Sequence, residues 1–208
     1  MVVQKQKQTM TLLHKGDERI LVVRRDILFL KGLFQGLSRD QDRYFEKLVN
    51  KKMEFHPRGL MEENFLYKQI IPYLVFHHNG RYFLMQRTNS GSETRLHNRY
   101  TLGIGGHIRQ EDLIGVSIVD WARREFHEEV TYAGTLTFEF LGVLNDDSSP
   151  VGQVHLGFVY ILHGDSDEIA VKSELKSGEM KTLAECKKQY EYLEDWSKII
   201  LNKLELKF

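Results

Sequence analysis

Three glutamates recur at helical spacing near the middle of the chain. Glu125, Glu128 and Glu129 lie within the run Arg124-Glu125-Phe126-His127-Glu128-Glu129. On a helix that turns about 100° per residue, their carboxylates occupy an arc of roughly 100°. An apolar face lies beside that arc and consists of Val119, Ala122, Phe126 and Val130. Carboxylates that converge at the edge of a buried stripe are suited to binding a divalent cation.

An exposed acidic helix face is the alternative interpretation, because like charges at i,i+4 spacing cost only a few tenths of a kcal/mol in water. Two features favour the cation. Glu128 and Glu129 fall in the last turn of the predicted helix, where the helix dipole favours positive charge. The pair Gly105-Gly106 precedes the helix, and glycine lets a backbone carbonyl approach a ligand closely. The predicted ion is Mg²⁺, with Mn²⁺ as a substitute, because hard cations prefer oxygen ligands.

This segment resembles the box of the Nudix hydrolase family, in which a glycine, a loop and a helix carrying Arg-Glu-apolar-x-Glu-Glu follow one another. Residues 124–129 match the helical part at every position. The run Tyr82-Phe83-Leu84-Met85-Gln86-Arg87 looks like the family's strand that leads to an arginine, and residues 100–106 look like the segment that enters the box. The resemblance covers about residues 68–186. It implies an α+β fold, an α/β/α sandwich with a mixed β-sheet flanked by helices.

The loop of the box departs from the family pattern. Gly106 and Arg124 are eighteen positions apart, so the loop is about four residues longer than usual. The family's loop glutamate has no single counterpart, and Glu111 and Asp112 are both candidates. Thr131 stands where a glycine usually follows the glutamate pair. The glutamates of the helix therefore match the family pattern, whereas the residues on the loop side of the site are not yet assigned.

The resemblance implies a Mg²⁺-dependent hydrolase that cleaves a diphosphate linkage between a nucleoside diphosphate and another group, X. Glu125, Glu128 and Glu129 would bind the metal, and the Gly105 carbonyl would add a ligand. Arg124 would orient the carboxylates through charge-assisted hydrogen bonds. Either Glu128 or Glu129 would act as the general base. The implied enzyme is a pyrophosphohydrolase that acts on phosphorus-containing anhydrides.

Residues other than the box glutamates are further candidates for binding a small-molecule diphosphate substrate. Arg87 and Arg95 precede the box, and His107 sits beside Gly106; all three are candidates for substrate contacts. Glu174 and Glu179 are candidates for a further acidic ligand beyond the last strands. Each has a structural alternative, which is a solvated surface charge for the arginines and glutamates and a hydrogen-bonded loop residue for His107.

Two other functions fit parts of the sequence. A non-catalytic Nudix-like sensor of a nucleotide or sugar would tolerate the altered loop, but it would not need the glutamates. An isopentenyl-diphosphate isomerase has a similar fold and needs a nucleophilic cysteine. The single cysteine, Cys186, instead lies on the apolar stripe of a predicted helix. A hydrolase is therefore the leading interpretation.

Composition narrows the classes of partner. The 29 lysines and arginines balance 29 aspartates and glutamates, so the chain has no broad footprint for nucleic acid or an anionic membrane. The apolar runs are much shorter than the ~20 residues that span a bilayer. The first residues lack the apolar run of a signal peptide, so the cytoplasm is the expected compartment.

The remaining pattern predicts the elements that position the site. Residues 1–67 are interpreted as an N-terminal α+β extension, which serves as a cap or a dimer element. Strands are expected over 19–23 and 26–30 and a helix over 40–52. A homodimer would use aromatic side chains of this extension, for which the candidates are Phe34, Tyr44 and Phe45.

Residues 68–208 are expected to form the Nudix-like hydrolase domain. Its strands are predicted over 69–77, 81–86, 135–144 and 154–162, with Asn79-Gly80 as a hairpin turn. Long helices are predicted over 113–130 and 183–200. The second of these begins with a capping box of Thr182 and Glu185.

Overall fold

The computed structural model describes residues 15–39, 45, 49–88, 98–112, 117–172 and 175–206. The β-strands are β1 (Arg19–Arg24), β2 (Gly36–Ser38), β3 (Glu54–Pro57), β4 (Tyr67–His78), β5 (Arg81–Arg87), β6 (Tyr100–Thr101), β7 (Ile104–Gly105), β8 (Val130–Thr131), β9 (Leu136–Asn145), β10 (His155–Gly164), β11 (Ala170–Val171) and β12 (Leu175–Thr182). The α-helices with described bounds are α1 (Arg25–Leu28), α2 (Arg58–Met61), α3 (Ile118–Glu129), α4 (Pro150–Val154), α5 (Leu183–Lys187) and α6 (Asp195–Glu205). Short 3-10 helices span Lys15–Asp17, Gln110–Asp112 and Tyr190–Tyr192.

One mixed β-sheet organises the molecule. Its central order is β12-β5-β4-β10-β9-β2, with β4 and β10 parallel and the other neighbours antiparallel. Along β4, the edge opposite β10 is shared by β1, β7 and β5 in turn. Helices cover both faces, which confirms the expected α/β/α sandwich.

The two faces of β4 belong to two separate cores, because successive side chains of a strand point to opposite sides. Leu74 and Phe76 pack in the cluster that contains Phe126 of α3. Tyr73 and Val75 pack in the cluster that contains buried side chains of helices α5 and α6. The apolar run predicted as a buried strand is therefore buried on both sides. Its hairpin turn is also confirmed, because Asn79 and Gly80 have φ values of 47° and 74°.

Helix α3 carries the glutamates and begins later than the predicted residue 113. Ser117 is its N-cap and accepts a hydrogen bond from the backbone N–H of Asp120. Residues 113–116 lie outside the described part of the chain. Ala122 and Phe126 are fully buried, so the predicted apolar face does pack on the core. That packing fixes the rotation of the helix and hence the direction in which its carboxylates point.

The extension joins the same sheet as the rest of the chain. Strand β1 pairs with β4, and β2 pairs with β9. Phe45 and residues 49–52 are helical, within the helix predicted over 40–52. Phe34 and the fully buried Phe45 form an edge-to-face aromatic cluster with Phe29, so they contribute to the core. Tyr44 lies outside the described residues.

The prediction of a strand over residues 26–30 is wrong. Residues 25–28 form helix α1, and a turn follows. Leu28 is 1% exposed whereas Leu30 is 73% exposed. A strand would have placed these two leucines on the same face, so burial of only one of them favours the helical turn.

The single helix predicted over residues 183–200 is also wrong. The capping box is present, but α5 ends at Lys187 and α6 begins at Asp195. Between them Leu193 bridges to Tyr100, and the backbone N–H of Glu194 donates to the Tyr100 carbonyl at 2.9 Å. This extended contact interrupts the helix, because a backbone that pairs with a strand cannot continue the helical ladder.

Candidate active site

A cavity of about 510 Å³ opens where the box meets the sheet. The box contributes Gly105, Gly106, Arg124, Glu125, Glu128 and Glu129 to its wall. Other parts of the wall come from the extension, from β4 and β5, from residues 149–152 and His155, and from residues 193–196. The structure therefore brings the predicted metal-binding residues together at a concave surface, which is the usual setting of a ligand site.

Glu125 is the most enclosed of the three glutamates, with 8% of the residue exposed. Its carboxylate lies against Gly106, where an added Cβ would stand 1.6 Å from Oε1. The pKa of Glu125 is raised to about 7, chiefly by burial; Arg124 opposes this rise, and nearby Glu128 and Glu129 add to it. Crowded, partly desolvated carboxylates of this kind are stabilised by a positive charge.

Arg124 connects the loop to the helix. Its Nη2 lies 2.9 Å from Asp112 Oδ2 and 3.1 Å from Glu125 Oε2, and its Nη1 lies 2.6 Å from Glu128 Oε1, so it forms ion pairs with all three carboxylates. Nη2 also donates to the carbonyl of His107 at 3.2 Å. Arg124 thereby holds carboxylates from two segments in fixed positions.

Asp112 and Glu111 differ sharply on the loop side of the site. The Asp112 side chain is 8% exposed and bonds to Arg124 and Arg109, whereas the Glu111 side chain is 64% exposed. Arg109 also bonds to Glu128 Oε1 at 3.1 Å. Of the two loop candidates, the acidic residue that joins the glutamate network is therefore Asp112. Sequence reasoning gave Arg109 no role in the site.

The described residues contain no ready-made group of three His, Cys, Asp or Glu side chains around a metal position. Both Arg124 and Arg109 contact Glu128 through the same oxygen, Oε1. The donor set nevertheless fits Mg²⁺ chemically, because it consists of oxygens and includes a buried carboxylate with a raised pKa. Glu128 could bind a cation through Oε2 while Oε1 keeps its arginine contacts.

Arg87 and His107 both line the cavity, and both have protein partners. Arg87 Nε donates to Glu194 Oε1 at 2.5 Å, and Glu194 is 8% exposed. His107 Nε2 lies 2.7 Å from Gln69 Oε1. Gly105 lies in β7 opposite Tyr73 of β4. Sequence reasoning missed Glu194, because a glutamate inside a predicted helix is ordinarily solvated.

The remaining candidates lie elsewhere. Arg95 and Glu174 lie outside the described residues. Glu179 is on β12, where it is ion-paired with Lys181, and it is not among the described residues that line the cavity. Cys186 is buried in α5, and burial raises the pKa of its thiol to about 12. Such a thiol is not activated as a nucleophile, which removes support for the isomerase alternative.

Several wall residues had no local sequence signal. The extension contributes Glu18, Arg58 and Glu62, β10 contributes His155, and α6 contributes Trp196. Each is ordinary in its own sequence context, and only the sheet pairing brings them to the box.

Within the described residues, no helix has the length and apolar character needed to cross a membrane.

Similarity to known proteins identifies the family, although no family model matches this chain. Protein YmaB of Bacillus subtilis (strain 168) is 33% identical over 206 residues, which span 92% of this chain and 99% of that protein. Tm1382, assigned to the Nudix hydrolases, has a crystal structure with 32% identity and a TM-score of 0.74, over 92% of this chain and all of that one. The chain belongs to the Nudix hydrolase family.

The Nudix assignment places the protein among the pyrophosphohydrolases and confirms the resemblance seen in the box. The Nudix domain of Shewanella oneidensis NrtR, solved with ADP ribose, is more distant. It is 14% identical with a TM-score of 0.54, over 67% of this chain and 88% of that one. This similarity supports the Nudix fold.

Proposed function

We propose that this protein is a Mg²⁺-dependent hydrolase that cleaves the diphosphate linkage of a nucleoside diphosphate joined to a group X. The observation that carries the proposal is the position of the box glutamates. Helix α3 brings Glu125, Glu128 and Glu129 to the wall of a cavity of about 510 Å³. The cavity has the size of a small-molecule site.

The three glutamates, together with the Gly105 carbonyl, would hold the Mg²⁺, for which Mn²⁺ can substitute. When bound, the metal neutralises the diphosphate and lowers the pKa of the attacking water. Glu128 or Glu129 then accepts the proton of that water. The Glu128 side chain is 48% exposed, so it is accessible to solvent in the cavity.

Arg124 and Arg109 act on the carboxylates rather than on the substrate. Their bonds to Glu128 and Asp112 set the position of the ligands before the substrate arrives. Arg87, His107, Arg95 and Glu174 are proposed as substrate contacts. For Arg87 and His107, support comes from their position in the cavity wall.

A ligand sensor without catalytic activity is the second candidate. Its support is that Glu128 is held by two arginines and that the described residues form no complete cation site. A sensor and a hydrolase would both bind a nucleotide, and only the hydrolase would turn it over.

A turnover screen separates the two candidates. The purified protein is offered nucleoside triphosphates, dinucleotide cofactors, nucleotide sugars and isopentenyl diphosphate, each with Mg²⁺ or with a chelator. Glu129→Gln controls for a contaminating hydrolase, and Glu168→Gln, at an exposed loop position, is the matched control. Metal-dependent cleavage that Glu129→Gln abolishes establishes the hydrolase. Thermal stabilisation by one compound without turnover of any establishes the sensor.

The extension over residues 1–67 is proposed as a cap or a dimer element of the hydrolase domain over 68–208. Its role in the cavity is supported by Glu18, Arg58 and Glu62 in the wall. A dimer is supported by exposed apolar side chains of the extension, which include Leu30, Leu33, Leu60, Phe65 and Leu66. Light scattering tests the dimer, and a monomeric mass would end that proposal.

A further inference from the structure

One end of the cavity is built by the extension together with the start of β10. Arg58 and Glu62 of the extension line it with His107 and His155. His155 lies opposite Gln69 on the parallel neighbour β4. The two imidazole rings are 5.5 Å apart between centroids, at an angle of 61°. We call this region the His155 end.

Hydrogen bonding assigns the proton of His155 to one ring nitrogen. Nδ1 lies 2.7 Å from the Val151 carbonyl oxygen, which can only accept, so Nδ1 carries the hydrogen. Burial lowers the pKa of His155, so the ring is neutral at pH 7. Nε2 consequently carries a lone pair. It has no hydrogen-bond partner in the described part of the chain, while its ring lines the cavity.

The charges at the His155 end do not favour a second phosphate. Arg58 Nε donates to Glu62 Oε1 at 3.1 Å, and Arg58 Nη1 lies 3.9 Å from Glu18 Oε2. One guanidinium thus faces two carboxylates, which leaves one excess negative charge, and the neighbouring His155 is neutral. A neutral group that donates a hydrogen bond suits this surface better than an anion does.

We propose that the His155 end binds a neutral, hydroxyl-bearing part of the substrate, the sugar of X, with His155 Nε2 accepting a hydrogen bond from a sugar hydroxyl. This inference rests on the proposed function, because it assigns a place to the group on the far side of the cleaved diphosphate. His155 is then a specificity-determining residue. A substrate without the hydroxyl would leave its lone pair unpaired, which costs binding energy.

The test compares substrates that differ only in X. Adenosine diphosphate ribose and adenosine diphosphate glucose carry sugar hydroxyls, whereas the butyl ester of adenosine diphosphate has the same nucleotide and diphosphate without them. His155→Asn keeps an N–H that can reach the Val151 carbonyl and removes the Nε2 acceptor. His155→Gln places an amide oxygen near the Nε2 position and serves as the conservative rescue.

We expect His155→Asn to raise KM about tenfold for at least one sugar probe, with kcat nearly unchanged, because one hydrogen bond to the bound sugar is lost. The butyl ester should be cleaved as by the wild type, and His155→Gln should recover part of the sugar preference. Equal losses on both kinds of probe, or no change on either, would overturn the inference. A wild type that cleaves the sugar probes and the butyl ester with equal KM and kcat would also overturn the inference. That result decides the matter even if a variant fails to fold.

Failure of the proposed function gives a different result. In that case the wild type cleaves neither probe with Mg²⁺, and calorimetric titration of the same probes decides the inference directly. Sugar binding that is tighter than ester binding and that His155→Asn weakens supports the His155 end. Equal binding of the probes, or binding of neither, overturns it.

Discussion

The two walls of the cavity are built in different ways. The box wall takes Arg124, Glu125, Glu128 and Glu129 from consecutive turns of one helix. The remaining wall takes Arg58, His155 and Glu194 from segments far apart in sequence. The box wall is crowded with charge that arginines hold in place, whereas the His155 end has one guanidinium beside two carboxylates. The proposed chemistry would thus be encoded locally, and the proposed recognition of the variable group would be assembled by the fold.

The largest effect should come from the box wall. Glu129→Gln is expected to lower kcat about a thousandfold, because a lost metal ligand removes several kcal/mol of transition-state stabilisation. Steady-state kinetics with saturating Mg²⁺ measures this loss, and Glu168→Gln should remain within about twofold of the wild type. A Glu129→Gln enzyme that retains most of its activity would mean that the glutamate helix does not carry the chemistry.

The contacts that support wall residues 149–152 should respond in stability first. Lys68 is fully buried and bonds to Asp147 Oδ1 at 2.8 Å and to the Gly152 carbonyl at 2.7 Å, and Arg25 also bonds to Asp147. Asp147→Asn leaves this buried ammonium without its counter-charge. We expect the free energy of unfolding to fall by about 3 kcal/mol. Chemical denaturation measures it, and a change below about 1 kcal/mol would show that the pair of Lys68 and Asp147 contributes little to stability.

Gly106→Ala tests how closely the box loop and helix must approach. The new Cβ would stand 1.6 Å from Glu125 Oε1, so the carboxylate must move. Activity should fall about a hundredfold, because a displaced ligand loses the geometry that catalysis needs. Gly16→Ala is the matched control, since its Cβ meets only the Gly59 Cα at 3.9 Å. Unchanged kinetics in Gly106→Ala would show that the Glu125 position is not required.

The smallest effect concerns pH and the buried Lys68, which contacts the Gly152 carbonyl of the cavity wall. Burial lowers the pKa of Lys68 from 10.5 to about 8. Between these values the unfolded chain binds more protons than the folded protein, so the stability contributed at Lys68 rises with pH from about 8 to about 10.5. Relative to Lys68→Met, the wild type should therefore gain stability over this range. Parallel pH curves in calorimetric unfolding would contradict the shift.

Parts of the β-sheet could be predicted where the residues of one strand and its turn show a recognisable apolar or turn pattern. Residues 70–76 are continuously apolar, and Asn79-Gly80 tolerates the positive φ that the turn requires, so the β4–β5 hairpin was predictable. Strand β12 was not, because Lys176, Ser177 and Gly178 have no apolar alternation. It is held by its pairing with β5. A strand of this kind depends on a neighbour that the local sequence does not reveal.

The same division holds for the site. Sequence by itself determined the family resemblance, the glutamate helix and its apolar face, because all three depend on spacing within a few turns. Tertiary structure decided between Glu111 and Asp112, broke the terminal helix at Glu194, and brought Arg58 and His155 to the cavity. These outcomes depend on burial and on pairing between distant segments. Such energies arise only when the chain is folded, and no local pattern of residues records them.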